Sequence, residues 1–385
     1  MRTSKQMTAA AMKNSKYGIY VHIPFCKARC YYCAFSSCCD YTLQEKYFAK
    51  LYGEIAARSD KSVQISTVYL GGGTPSSVDT KYLDKLFAVL RRNFDLSNVQ
   101  EISVECNPES ANSELLDCLK SNGVTRISFG LQSVNDKTLS TIGRLHTYSD
   151  FLSALSRARK AGFNNINADL ILGLPESPSD FYRSVETIAE LPVTHVSVYA
   201  LELHENSPLY PISKSQFDYT DDQLADMYDN AGAVLNKHGF ERYEISNFAK
   251  SGQECKHNLI YWTENRYYAF GASASGFVGD IRYTNPCSPG EYIAAPLTEM
   301  LLRGDKISLK GQANEYAMLA LRLKSGVSLS EFKSRFGICF TDFFKNAQTL
   351  FKQGLLIADG DSVRVPSDKI YVVNSILCEL LSFEE

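Results

Sequence analysis

Tryptophan occurs once in this chain and histidine six times. No run of apolar residues reaches the roughly 18 that a membrane-spanning helix requires, and no apolar core with a small-residue cleavage site opens the sequence. Neither a helical membrane protein nor a secreted one is therefore the expectation. An excess of one charge is lacking too: 40 Lys+Arg stand against 43 Asp+Glu, a net charge of −3. Nucleic-acid or anionic-membrane binding would need clustered basic charge. What remains is a cytoplasmic globular protein, in keeping with 44% hydrophobic and 22% charged residues. Its 385 residues predict two or three domains.

Cysteine is what the chain has in quantity: eleven, five of them between Cys26 and Cys39. An odd, unevenly spaced set without a secretion signal argues against a disulfide framework and for metal or redox chemistry.

Residues 1–16, with four basic residues and no acidic one, read as a basic tail too short for a convincing transit segment. From residue 17 to about 200, short β-branched or aromatic runs alternate with segments of helical period. Strands are expected at Ile19–Ile23, Thr67–Leu70, Glu101–Val104, Arg126–Phe129, Asn165–Leu170 and His195–Tyr199. Six repeats fit a doubly wound sheet or an incomplete barrel, and both bind ligands at the C-terminal rim of the strands. A connecting segment, 201–287, breaks the alternation with one helical stretch and a short run at Tyr243–Ile245. Residues 288–385 predict helices at Asn314–Lys324, Leu329–Phe336 and Asp342–Gln353, a hairpin and a last helix, an order like that of a winged helix. From Glu291 onward 11 basic residues meet 12 acidic ones, so no basic footprint accompanies that order and no nucleic-acid partner is expected.

Directly after the first expected strand comes Cys26-Lys-Ala-Arg-Cys30-Tyr-Tyr-Cys33. Three thiolates so spaced can hold one iron–sulfur cluster and leave one iron with an open position. A structural zinc site and unrelated free thiols are the alternatives, and Cys38 or Cys39 could add a fourth ligand. After the second strand, Gly71-Gly72-Gly73-Thr74-Pro75 bares backbone N–H groups to a close ligand. Glu105 and Gln132 end strands three and four, and Asp169 sits in an otherwise apolar strand, where a carboxylate needs a partner. Arg144 offers a two-pronged contact to a carboxylate.

The CxxxCxxC spacing, with Tyr32 before its last Cys, resembles the signature of the radical S-adenosylmethionine (SAM) superfamily. More narrowly, Tyr20-Val-His-Ile-Pro-Phe-Cys26 resembles the start of the oxygen-independent coproporphyrinogen III oxidases and their heme-chaperone relatives. This resemblance implies an α/β fold: a partial (β/α)6 barrel with a smaller, mostly helical, winged-helix-like C-terminal domain. It implies a [4Fe-4S] cluster on Cys26, Cys30 and Cys33, and SAM contacts from Tyr20, Tyr32, Gly72, Gly73, Thr74, Glu105, Gln132, Arg144 and Asp169.

His257-Asn-Leu-Ile-Tyr261-Trp262 resembles the HNxxYW motif of the heme-chaperone branch. The oxidase pattern carries a further Cys where this chain has Phe35, and a longer segment ahead of the cluster motif. The resemblance therefore implies a heme chaperone, with His257 toward heme or, as an alternative iron ligand, Cys255. Tyr261 and Trp262 could stack on a porphyrin. Its partners would be a heme-accepting apoprotein and an electron donor such as flavodoxin or ferredoxin, and a homodimer is compatible with it. A porphyrinogen oxidase is the second reading. In one respect the chain departs from the branch: Gly271–Gly276 lacks the His commonly found there.

Overall fold

The computed structural model describes residues 17–203, 205, 207–211 and 219–381; the basic tail lies outside them. Six parallel strands come first: β1 (Tyr17–Ile23), β2 (Ile65–Gly72), β3 (Glu101–Cys106), β4 (Arg126–Gln132), β5 (Asn165–Leu172) and β6 (His195–Ala200). They lie side by side in chain order. Between them run α1 (Gln44–Arg58), α2 (Thr80–Asn93), α3 (Ser113–Ser121), α4 (Asp136–Thr141), α5 (Tyr148–Lys160) and α6 (Pro178–Glu190). This is the expected partial (β/α)6 barrel.

Polar residues in the loops set where these helices begin. Asp79, Asn112, Asn135 and Ser177 each accept a first-turn backbone N–H, and Thr147 and Asp150 cap each other reciprocally. Helical spacing then turns one apolar face to the sheet. On α2 that face is Leu83, Leu86, Phe87 and Leu90, all buried. Truncating such a leucine to alanine costs about 2–5 kcal/mol, so these faces hold the strands in place.

The segment 201–287 adds strands to both edges of the sheet. At one edge β7 (Glu241–Arg242) and β8 (Asn247–Ala249) extend β6 antiparallel. At the other, β9 (Tyr267–Phe270) pairs parallel with β1, followed by β10 (Ser275–Val278), β11 (Ile281–Thr284) and β12 (Asp305–Lys306). The run Tyr243–Ile245 lies between two short strands, where Glu244 bridges to Leu323 and its carboxylate accepts the N–H of Ser246. Within this segment α7 (Asp221–Lys237) precedes β7, and α8 (Lys256–Trp262) lies between β8 and β9.

Helices at Leu309–Ala320, Leu329–Phe336 and Val373–Leu380 dominate the C-terminal part, beside a three-stranded antiparallel sheet. The helix expected over Asp342–Gln353 is broken into Phe340–Phe343 and Ala347–Lys352. Phe344 is extended at the break, and both Phe343 and Phe344 pack on Phe332, with ring centroids 5.9 and 5.8 Å away. Adjacent side chains on an unbroken helix point about 100° apart, so the break lets both rings reach one core position.

Candidate functional site

A cavity of about 470 Å3 opens at the C-terminal ends of the parallel strands. Cys26, Cys30 and Cys33 stand at its mouth, on a loop held at both ends. At the near end the backbone of Cys38 pairs with Pro24 and Cys26. At the far end Tyr31 N–H donates to Ile142 O, and the Tyr31 ring packs so closely on Gly143 that a Cβ there would lie 3.0 Å from it. Cys26 Sγ lies 3.3 Å from Thr74 Oγ1, and Arg144 Nη1 donates to Cys30 Sγ at 3.5 Å. Burial pushes the Cys26 thiol up to about 11. Among the described residues no three His, Cys, Asp or Glu side chains converge on a point suited to a single metal ion. Three thiols lining one cavity match the number that a four-iron cluster with one open iron takes.

The glycine run forms the adjoining wall. Gly73 N–H donates to Ile23 O, and a Cβ on Gly73 would meet the Pro24 carbonyl carbon at 2.6 Å. Gly72 has φ +111°, a backbone open to glycine and costly for other residues. The Glu105 carboxylate accepts from Tyr69 Oη at 2.8 Å and from Gly72 N–H at 3.1 Å. Burial raises its pKa to about 7. Asp169, also raised by burial, accepts from Asn167 Nδ2 at 2.7 Å. Arg144 Nη2 donates to Asn107 Oδ1 and the Gly130 carbonyl, while its buried Nε has no partner. Gln132 is held at φ +77° beside a register shift in β4, strain of the kind that collects at ligand sites.

The cavity thus brings together Cys26, Cys30, Cys33, Tyr32, Gly72, Gly73, Thr74, Glu105, Gln132, Arg144 and Asp169. Tyr20 belongs elsewhere: it lines a second, neighbouring cavity with Tyr261, and its hydroxyl lies 3.1 Å from His22 Nδ1.

His257 requires a correction. Its side chain is fully buried behind the cavity wall, with Nδ1 2.8 Å from Thr67 Oγ1 and Nε2 2.8 Å from Tyr261 Oη. Its ring stacks on Tyr69. Burial holds its pKa down to about 3, so the ring is neutral and both nitrogens are in use. It is not presented to a ligand. Nor is Cys255, fully buried with its thiol pushed up to about 12 by burial. The reason lies beneath them: Glu101 accepts the N–H groups of Lys256 and His257 at 3.1 and 3.2 Å and faces the Cys255 thiol at 3.4 Å, so it caps α8 and seats it against the sheet.

Sequence reasoning missed Tyr69, Asn107, Ser128 and Tyr199, which also line the cavity. A signal for them existed. Residues two apart on a strand share a face, and the shared face here is polar: Thr67 and Tyr69, Ser103 and Glu105, Arg126 and Ser128, Asn167 and Asp169, Ser197 and Tyr199.

Comparison with known proteins places this geometry. The model of the Radical SAM superfamily matches residues 20–188, and that of the HemN C-terminal domain matches residues 307–368. The heme chaperone HemW of Lactococcus lactis is 35% identical over 368 residues, which span 94% of this chain and 96% of that protein. The heme chaperone HemW of Bacillus subtilis is 35% identical over 350 residues, 88% of this chain and 92% of that one. Among solved structures, coproporphyrinogen III oxidase (HemN) from Escherichia coli superposes with a TM-score of 0.82 over 99% of this chain and 94% of its own, at 22% identity. At that identity the likeness is one of fold.

Proposed function

The chain belongs to the HemW family within the radical SAM superfamily, and from that premise we propose that it is a heme chaperone, which binds heme and passes it to an apoprotein. The observation that carries the reading is end-to-end similarity to HemW at 35% identity over 94% of the chain. The oxidase reading is weaker: it has fold likeness, while Phe35 stands in the loop where the oxidase pattern has a cysteine.

Radical SAM membership implies a [4Fe-4S] cluster and SAM, and the residues fit both. Cys26, Cys30 and Cys33 offer three thiols at one cavity mouth, and Gly72 and Gly73, packed too closely on His22 and Pro24 to carry a Cβ, line the same cavity. When bound, the cluster supplies one-electron chemistry at an iron with an open position. Arg144 sets beside Cys30 a positive charge that offsets thiolate charge. Its partnerless Nε would receive the carboxylate of SAM, whereas the N–H groups of Gly73 and Thr74 are taken by the carbonyls of Ile23 and Phe25. Glu105 and Asp169 would accept from its ammonium and ribose, with Tyr32 and Gln132 closing the sides.

Heme is the cargo. An electron donor such as flavodoxin or ferredoxin would serve the cluster, and the chaperone would work in the cytoplasm, alone or as a homodimer. No helix among the described residues is long and apolar enough to cross a membrane. Titration of the anaerobically reconstituted protein with hemin tests the reading: saturation near one heme per chain supports it, and no saturable binding overturns it.

A further inference from the structure

Two cavities open side by side at the barrel rim, and their chemistry differs. The first holds the carboxylates of Glu105, Asp169 and Glu202 and the guanidiniums of Arg29 and Arg144, a lining for a ligand that carries both charges. The second, of about 340 Å3, has no carboxylate, ammonium or guanidinium among the described residues that line it. Its walls are the rings of Tyr20, Phe35, Tyr261 and Tyr267, with hydroxyls from Ser36 and Ser275. The His22 imidazole there is 5% exposed, with its two nitrogens against Tyr20 Oη and the Ser36 carbonyl. Burial lowers its pKa, so it adds no charge.

Phe35 lines both cavities and is 70% exposed. A bare aromatic face beside a neutral, ring-lined cleft is a stacking platform. The opposite wall is fixed in advance. The turn from β9 to β10 carries Gly271 at φ +97° and Ser273 at φ +62°. A Cβ on Gly271 would lie 2.5 Å from the His22 carbonyl oxygen. The turn is therefore clamped to the end of β1.

Building on the chaperone reading, we propose that the second cavity is the porphyrin subsite, with the macrocycle laid against Phe35, its edge toward Tyr20 and Tyr261, and its propionates left to solvent. A neutral aromatic cleft suits the flat, uncharged ring face, as the ionic first cavity suits SAM. The iron takes no ligand from His257. Tyr261 touches the ring, and His257 acts only through Tyr261.

The test is a hemin titration, followed at the Soret band, on the full chain with its cluster loaded. Phe35→Ala should weaken hemin binding about tenfold, and Phe35→Trp should preserve it. Ser275→Trp, which fills the cleft from the other wall, should weaken it as well. Iron content should stay at the wild-type value in all three, and SAM affinity should do so in Ser275→Trp, since Ser275 lines the second cavity and not the first. Wild-type hemin affinity in both Phe35→Ala and Ser275→Trp would overturn the subsite and leave the chaperone reading standing. Equal loss of SAM and hemin in Phe35→Ala would assign Phe35 to the first cavity and overturn it too. A wild-type protein that takes up no hemin would remove the chaperone reading and the subsite with it.

Discussion

The imidazole of His257 stacks on the phenol of Tyr69, ring centroids 5.2 Å apart and planes 25° from parallel. Tyr69 in turn donates its hydroxyl to Glu105 in the first cavity, and His257 holds the hydroxyl of Tyr261 in the second. The histidine most suggestive of a heme ligand in the sequence is thus the buried partition between two cavities.

Removing that partition should cost stability first. His257→Ala strands the buried hydroxyls of Thr67 and Tyr261 and opens a void against Tyr69. We expect a loss of about 2–4 kcal/mol in urea unfolding. In the fraction that stays folded, the iron–sulfur absorption and the axial-ligand signature of bound heme should match wild type. A changed axial-ligand signature with undiminished stability would put His257 on the iron.

SAM affinity should depend on pH through Glu105. Its folded pKa is raised by burial from the ordinary 4.5 to about 7. The stability it contributes is full below the ordinary value and lost as pH rises through about 7. A ligand that offers donors or positive charge to Glu105 favours the ionised form and releases a proton on binding between roughly pH 5 and 7. Isothermal titration should therefore show SAM affinity rising across that interval, by up to about tenfold. Glu105→Gln should flatten the profile; a variant that keeps the slope would place the titrating group elsewhere.

Cluster and heme should separate by mutation. Cys30→Ser removes one of three thiols at the cavity mouth, and its iron and sulfide content after anaerobic reconstitution should fall to background. Its hemin affinity should stay within about twofold of wild type, since the second cavity contains none of the three cysteines. Full four-iron content in this variant would refute the ligand assignment.

One of the ion pairs that tie the C-terminal helices to the rest of the fold has a buried carboxylate. Glu264, directly after α8, has a side chain 1% exposed that meets Arg335 Nη2 at 2.6 Å, and Arg335 also donates to the carbonyls of Thr263 and Glu264. Arg335→Ala removes the ion-pair partner of that buried carboxylate and should cost about 3–5 kcal/mol in chemical unfolding. Neutralising the carboxylate as well, in Arg335→Ala/Glu264→Gln, should recover part of the loss. No recovery would mean that the packing of Arg335 on Tyr316 and Phe336, rather than its charge, holds the contact.

The parallel strands were legible because each βα unit switches period from 2 to 3.6 and is punctuated by a capping residue such as Asp79 or Ser177. The edge strands were not: Glu241–Arg242 and Asp305–Lys306 are two residues long, and only pairing with distant partners makes them strands. The first cavity was legible because its residues follow strand ends, where the fold gathers them. His257 shows where such reading stops. A histidine can serve as ligand or as core, and the choice here rests on Thr67, 190 residues away in sequence. Phe35 shows the converse, since its meaning lies in an exposure that only the folded loop reveals.

The most direct test of the account is anaerobic incubation of the reconstituted protein with SAM, a reductant and coproporphyrinogen III, assayed for protoporphyrinogen, on a preparation shown to bind hemin. A heme chaperone should bind hemin stoichiometrically and form no protoporphyrinogen. Product accumulating in step with SAM cleavage would make this chain an oxidase and contradict the account.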